Sequence, residues 1–228
     1  MDTDKKITPL PVNMPNIMFD ETLNPGFELR IDSIRSHIKV LVLGGLCEVF
    51  GRELPVGEPV FFHAGENIAI FCWKQTRIQI CGEFEQYVSE QTPMHIYLNY
   101  SSALNKMRNE ALTQKRVGPS LLVTGSTQSG KSTLCKMLVN YSLKLGWSPI
   151  FADLDLQSGE ISPPGSISAA MLSPGEDLLP SDSLQKKSIN YFHGKTEFVT
   201  LEFYSKQVSE LADAVKKKLS NDLKQFIS

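Results

Sequence analysis

Residues 121–133, LLVTGSTQSGKST, carry the densest chemistry in the chain. Gly125-Ser-Thr-Gln-Ser-Gly130-Lys131-Ser132 fits the G-x-x-x-x-G-K-[ST] phosphate-binding loop. Its glycines let the backbone turn sharply and bring N–H groups close to an anion. The helix expected to follow aims its positive N-terminal end at the same place. Lys131 is then the residue that reaches the β- and γ-phosphates, and the Ser132 hydroxyl is a Mg²⁺ ligand. Gly125, Gln128, Ser129, Gly130, Lys131, Ser132 and Thr133 form the expected nucleotide-binding set, with ATP and Mg²⁺ as ligands.

A second cluster lies downstream in PIFADLDLQSG. Its first half reads as a strand ending in Asp153 and Asp155. A carboxylate at the end of a strand beside a phosphate-binding loop can hold Mg²⁺ or orient a nucleophile. The i, i+2 spacing puts both side chains on one face if the strand runs that far; a turn capped by the aspartates is the other reading. Asp155, with Lys131, is the expected catalytic pair, and Asp155 with Ser132 the expected metal pair.

The elements that must position these groups are legible around them. Leu121 to Thr124 read as a short buried strand. Leu134, Leu138, Tyr141 and Leu145 fall on one helix face, with Gly146 where a helix C-terminus favours glycine. Upstream, Phe27 to Glu90 breaks into short β-type runs: FELRID, HIKVLVLGG, LCEVFG, PVFFHAG, NIAIFCW, RIQICGE and YVSE. Turn residues punctuate them, so the block predicts a small antiparallel sandwich or barrel. Trp73 and the Phe61-Phe62 pair read as core.

The expected organisation is a flexible arm over 1–20, a β domain over 21–95, a connecting helix and linker over 96–117, and a nucleotide-binding domain over 118–228. Ser101 to Gln114 carries the connecting helix. Residues 157–188, rich in Ser, Pro and Gly, read as a long loop of the kind that grips substrate. Ser188 to Phe192 suggests a further strand. Val208, Leu211, Ala212, Val215, Leu219 and Leu223 recur at helical spacing, and Lys216-Lys217-Lys218 reads as a solvated face.

Composition sets the outer bounds. The chain has 228 residues, 41% hydrophobic and 21% charged, which is ordinary for a protein with a core. A formal net charge of −2 gives no global pull toward nucleic acid, so an RNA contact needs a local patch. Cys47, Cys72, Cys81 and Cys135 form no C-x-x-C pair and read as free thiols of a reducing compartment. No signal peptide or long apolar span is evident, so the expectation is a soluble, intracellular chain with no membrane partner.

Taken together, FELRID, GLCEVFGREL, SEQTPMHIYLN, TGSTQSGKSTL, FADLD and SPPGSISA, in that order, resemble the eukaryotic Clp-type polynucleotide 5′-hydroxyl kinase family. Its members are subunits of the pre-mRNA cleavage and polyadenylation machinery. The resemblance covers about Phe27 to Asp213. It implies an α/β chain: an N-terminal all-β sandwich followed by an incomplete kinase-type P-loop domain with a parallel sheet. It implies ATP touched by the β domain, with Glu28 contacting the base and Asn67 standing where the family usually has a lysine. It implies a nuclear location, other subunits of the complex as partners, and RNA as a candidate partner. Two departures stand out. Asp155 is followed by Leu156-Gln157-Ser158 rather than by a Gly-Gln pair, and family members continue well beyond Ser228, so the chain reads as C-terminally truncated relative to them. The expected function is therefore an ATP-binding subunit of the 3′-end processing machinery. The alternative is an active RNA 5′-hydroxyl kinase, a role that in this family also serves tRNA splicing.

Overall fold

The computed structural model describes residues 18–32, 36–157, 159, 161–175, 188–195 and 201–225. Chain contacts divide it into two compact units, Met1–Met94 and His95–Ser228.

In the first unit the alternation of apolar and polar residues produces β1 (Met18–Leu23), β2 (Glu28–Asp32), β3 (Ile38–Gly44), β4 (Cys47–Val49), β5 (Arg52–Glu53), β6 (Pro59–Phe62), β7 (Asn67–Cys72), β8 (Thr76–Cys81) and β9 (Glu85–Ser89). They form two antiparallel sheets, ordered β1-β8-β3-β6 and β5-β4-β7-β2-β9. Leu29, Ile31, Val40, Val42, Ile70, Ile78 and Ile80 are buried, as strands with one face turned to a sandwich core require. Gly45 (φ 104°) permits a close crossing, since a Cβ there would lie 2.3 Å from the Gln75 carbonyl oxygen.

Three expectations for this unit need correction. The arm does not extend to residue 20, because Met18–Leu23 pair with β8 from Met18↔Cys81 to Leu23↔Thr76. Arg77 and Gln79 bind the Asp20 carboxylate at 2.8–2.9 Å and fasten that strand; residues 1–17 lie outside the described ones. Phe62 is core, whereas Phe61 (41% exposed) is not, since neighbours on a strand face opposite ways. Trp73 is 36% exposed, with its indole N–H on Glu48 Oε2 at 3.0 Å. All four cysteines are free, Cys47 and Cys72 being buried. Burial pushes the Cys47 thiol up to about 12, helped by Cys72 and Glu48, and the Cys72 thiol up to about 11, so both are inert as nucleophiles at neutral pH.

Helix α1 (Met94–Thr113) begins about two turns before the expected Ser101. The Thr92 hydroxyl accepts the Met94 N–H at 3.1 Å, and Pro93 occupies the first turn, where its missing N–H costs nothing. In the second unit α2 (Lys131–Lys144) ends at Gly146 (φ 83°), with Trp147 N–H on Ser142 O and Gly146 N–H on Leu143 O, both at 3.0 Å. That is a Schellman stop. Strands β10 (Ile150–Asp153), β11 (Ser166–Met171) and β12 (Ser188–Phe192) form one sheet, and α3 (Leu201–Gln225) follows. One face of the sheet packs Phe151 and Ala170 against Val139 and Leu143 of α2. The other packs Ile167 and Ala169 against Leu211, with Tyr204, Val208 and Val215 around it. Lys216, Lys217 and Lys218 are exposed, Lys216 facing Asp213 at 3.5 Å, so the solvated-face reading holds.

The class is as expected, but the interior of the second unit differs in three respects. Leu121–Thr124 form no ladder among the described residues, and Leu121 and Leu122 are 55% and 77% exposed. An apolar run becomes a buried strand only when neighbours supply its hydrogen bonds and cover both faces. The sheet described is antiparallel throughout, not parallel. Finally, the 157–188 loop contains β11, whose SISAAM side chains are small enough to be buried between α2 and α3. Residues 158, 160 and 176–187 of that stretch lie outside the described ones.

Candidate functional site

The loop 125–130 is exposed and shaped by two left-handed residues, Gln128 (φ 60°) and Gly130 (φ 83°). A Cβ at Gly125 would lie 2.8 Å from Ser129 Oγ, so a side chain there would turn the Ser129 hydroxyl away, whereas at Gly130 only the positive φ favours glycine. Gly130 caps α2 without any side-chain hydrogen bond. The first intrahelical bond runs from Leu134 N–H to Gly130 O at 3.0 Å. The N–H groups of Lys131, Ser132 and Thr133 therefore have no acceptor within the helix and point out of its positive end. Lys131 Nζ donates to Ser126 O at 2.8 Å, which folds the ammonium over the loop's own concavity. These are the features that hold a chain of phosphates: a turn through left-handed residues, N–H donors at a helix N-terminus and a lysine folded over them. They fit a nucleoside polyphosphate.

Connection 145–149 turns the chain back from α2 into β10, so the N-terminus of α2 and the C-terminal end of β10 share one end of this unit. Cys135, Val139 and Leu143 pack on the sheet, and Ser132 continues that stripe one turn earlier. Below it, Phe151 and Asp153 lie on the α2 face of β10 by alternation. Asp153 is buried, and its Oδ1 accepts the Asp155 N–H at 3.1 Å. Asp155 stands outside the strand, which ends at Asp153; it is exposed, and its Oδ1 accepts the Gln157 N–H at 2.9 Å. The two carboxylates thus do not share a strand face. Both cap turns, and they differ in access to water.

Several neighbours of these aspartates were not legible in the sequence. Register places Asp153, Ser168 and Asn190 in one row across β10, β11 and β12. Ser168 Oγ and Asn190 Oδ1 are buried without a hydrogen-bond partner. The only signal for them is the register of β11, in a stretch whose composition reads as loop. Tyr204 of α3 donates its hydroxyl to Leu154 O at 2.9 Å. Burial and the charges of Asp155 and Asp153 raise its pKa, which keeps the phenol protonated beside the carboxylates.

Glu28 and Asn67 belong to the first unit. Glu28 is buried, accepts Arg30 Nε at 2.6 Å, and lies in a cross-sheet row, Glu53–Glu48–Phe71–Glu28–Ser89. Arg30 also donates to the Tyr87 hydroxyl at 3.1 Å, and these two bonds raise its pKa. Asn67 is exposed and pairs with Asp32, four residues further along the same strand pair. At a rise of about 3.4 Å per residue, that separates it from Glu28 by roughly 13 Å.

A β-sandwich followed by a loop-and-helix phosphate cradle defines a P-loop nucleotide-binding protein with an N-terminal β domain. The matching family models agree on both parts. Residues 22–111 match the N-terminal beta-sandwich domain of polyadenylation factor, and residues 125–227 match the mRNA cleavage and polyadenylation factor CLP1 P-loop. The chain belongs to the Clp1 family. It is 38% identical over 188 residues to polyribonucleotide 5′-hydroxyl-kinase Clp1 of Gallus gallus, covering 82% of this chain and 44% of that protein. It is 35% identical over 203 residues to the CLP1 homolog of Brugia malayi, covering 86% and 47%. The chain thus spans about half the length of these relatives. Among solved structures, Clp1p in the wild-type Clp1p–Pcf11p complex aligns with a TM-score of 0.79 at 24% identity, covering 92% of this chain and 52% of that one. That likeness supports the fold.

Proposed function

We propose that this chain binds ATP–Mg²⁺ at the Gly125–Thr133 loop and serves as a nucleotide-binding subunit of the nuclear machinery that cleaves and polyadenylates mRNA. The observation that carries the proposal is the loop itself: a turn shaped by left-handed Gln128 and Gly130, with the N–H groups of the first turn of α2 beyond it. Within it the glycines and the N–H groups of Lys131, Ser132 and Thr133 hold the phosphates, and Lys131 exchanges its bond to Ser126 O for a phosphate oxygen. Ser132 and Asp155 are the Mg²⁺ ligands, with Asp153 on the α2 face supporting the same end of the sheet. Glu28 reads the base from the first unit. Family membership and the Clp1p–Pcf11p likeness support subunits of the polyadenylation complex as partners. No helix among the described residues is long and apolar enough to cross a membrane.

The second reading is RNA 5′-hydroxyl kinase activity, after the names of the relatives. Phosphoryl transfer depends on positioning and on neutralising charge in the transition state, where one arginine is worth on the order of 10³–10⁵ in rate. Between 117 and 228 the sequence carries lysines and no arginine, and Arg108 and Arg116 of the same unit stand on α1 and just after it. The loop's geometry supports binding directly, and binding is the first reading on that ground. An assay with labelled 5′-hydroxyl RNA and ATP–Mg²⁺ is expected to give little or no phosphorylated product while a bound-nucleotide assay on the same sample is positive. Turnover typical of a kinase, about 1–100 s⁻¹, would reverse the ranking.

A further inference from the structure

Where β3 and β6 begin and end, the ladder Ile38↔Phe62 continues one step to a facing pair of histidines. His37 Nδ1 and His63 Nδ1 lie 3.2 Å apart, with ring centroids 5.0 Å apart and planes at 79°. Two imidazole nitrogens bound to one tetrahedral Zn²⁺ at about 2.0–2.1 Å stand roughly 3.3 Å from each other, by the tetrahedral angle. The observed 3.2 Å, the length of an N–H···N hydrogen bond between the two rings, also matches that bite. We propose that His37 and His63 form a two-imidazole chelate for a divalent transition metal of the zinc class, which clamps the edge strand β6 onto β3.

The backbone around the pair is held in place without a metal. Ile38 and Phe62, the neighbours in the ladder, are 0% and 1% exposed and anchor both strands in the core. The His63 N–H donates to Glu66 Oε2 at 2.9 Å, and Glu66 N–H donates to His63 O at 3.2 Å, which closes the turn after β6. The Ser36 hydroxyl accepts the Glu83 N–H at 3.1 Å and ties the entry to β3. Because the nitrogens already face each other, little side-chain freedom is lost on binding. Imidazole suits zinc, copper and nickel rather than magnesium or calcium, which separates this site from the Mg²⁺ expected at the loop. Among the described residues no third His, Cys, Asp or Glu converges on the pair, so water completes the coordination. Lys39, two residues along the same face of β3, opposes a cation, and Glu66 favours one. The result is an open, moderate-affinity site. The structural consequence lies at the sheet edge, since β6 is an outer strand of four residues joined, among the described residues, to β3 alone.

The test is a zinc titration of the full chain against a chromophoric competitor in excess Mg²⁺, with melting temperature measured in parallel. The wild-type protein is expected to take up one zinc with a rise in melting temperature. His37→Ala and His63→Ala should each weaken uptake at least tenfold and abolish the thermal shift, while His95→Ala, on α1, retains both. His37→Asn and His63→Gln serve if either alanine variant melts lower than wild type without zinc. Uptake no stronger than in the double histidine variant, or lost on only one of the two substitutions, would overturn the chelate and leave a simple histidine–histidine hydrogen bond.

Discussion

Asp153 and Asp155 are two residues apart, yet burial separates what each substitution should do. Asp153 is buried opposite Ser168, and Asp153→Ala removes the acceptor of the Asp155 N–H and empties that space, so it is expected to cost about 1–3 kcal/mol, read as a fall in the urea midpoint. Asp155→Asn keeps an acceptor for the Gln157 N–H and is exposed; its midpoint should stay within about 0.5 kcal/mol of wild type. Its expected effect falls instead on the Mg²⁺ dependence of ATP binding. A midpoint that drops equally for both variants would show that the burial difference does not matter. The phosphate loop was legible in the sequence because its requirements are local: two glycines, a lysine and a hydroxyl at fixed spacing. The roles of the aspartates were not, because they depend on where β10 stops. Tyr204 and Asn190 carry no local mark at all and join the aspartates only through packing and register.

At the scale of elements, β1 is held by one polar clasp. Hydrogen bonds from Arg77 and Gln79 lower the pKa of Asp20 from 3.8 to about 2. Its folded pKa lies below its unfolded value, so the clasp stabilises the folded state above about pH 4 and loses that contribution as pH falls through about 2. Asp20→Asn should therefore be less stable than wild type near neutral pH, with the gap closing toward pH 2; parallel urea melts at several pH values give the comparison. In the second unit Leu143 is 5% exposed between α2 and the sheet, and Leu143→Ala should cost about 2–5 kcal/mol. Helix α2 and the sandwich strands could be read from periodicity, since long amphipathic patterns survive folding unchanged. Strand β11 could not, because small residues among serines and prolines resemble a loop until two helices cover them. Leu121–Thr124 erred the other way, for an apolar run specifies burial only if a ladder receives it.

Across the whole molecule, Leu122 (77%) is the most exposed large apolar side chain among the described residues, and Leu121 (55%) beside it extends an apolar surface that another chain can cover. The purified protein should associate with itself at micromolar concentration, and Leu122→Lys should move it toward monomer by light scattering; a monodisperse wild type would contradict this. Glu28 belongs to the β unit and the phosphate loop to the second unit, about a hundred residues apart in sequence. If Glu28 reads the base, Glu28→Ala should narrow the preference for ATP over GTP at least several-fold while leaving phosphate binding in place, and an unchanged ratio would remove Glu28 from the site. All of this rests on the loop binding ATP–Mg²⁺, where Lys131 supplies a charge that no backbone N–H replaces. The most direct test is a calorimetric titration of ATP–Mg²⁺ into wild type and Lys131→Ala under identical conditions. Saturable binding by the wild type, with at least a tenfold loss in the variant, is the predicted result; equal affinities, or no binding by either protein, would contradict the account.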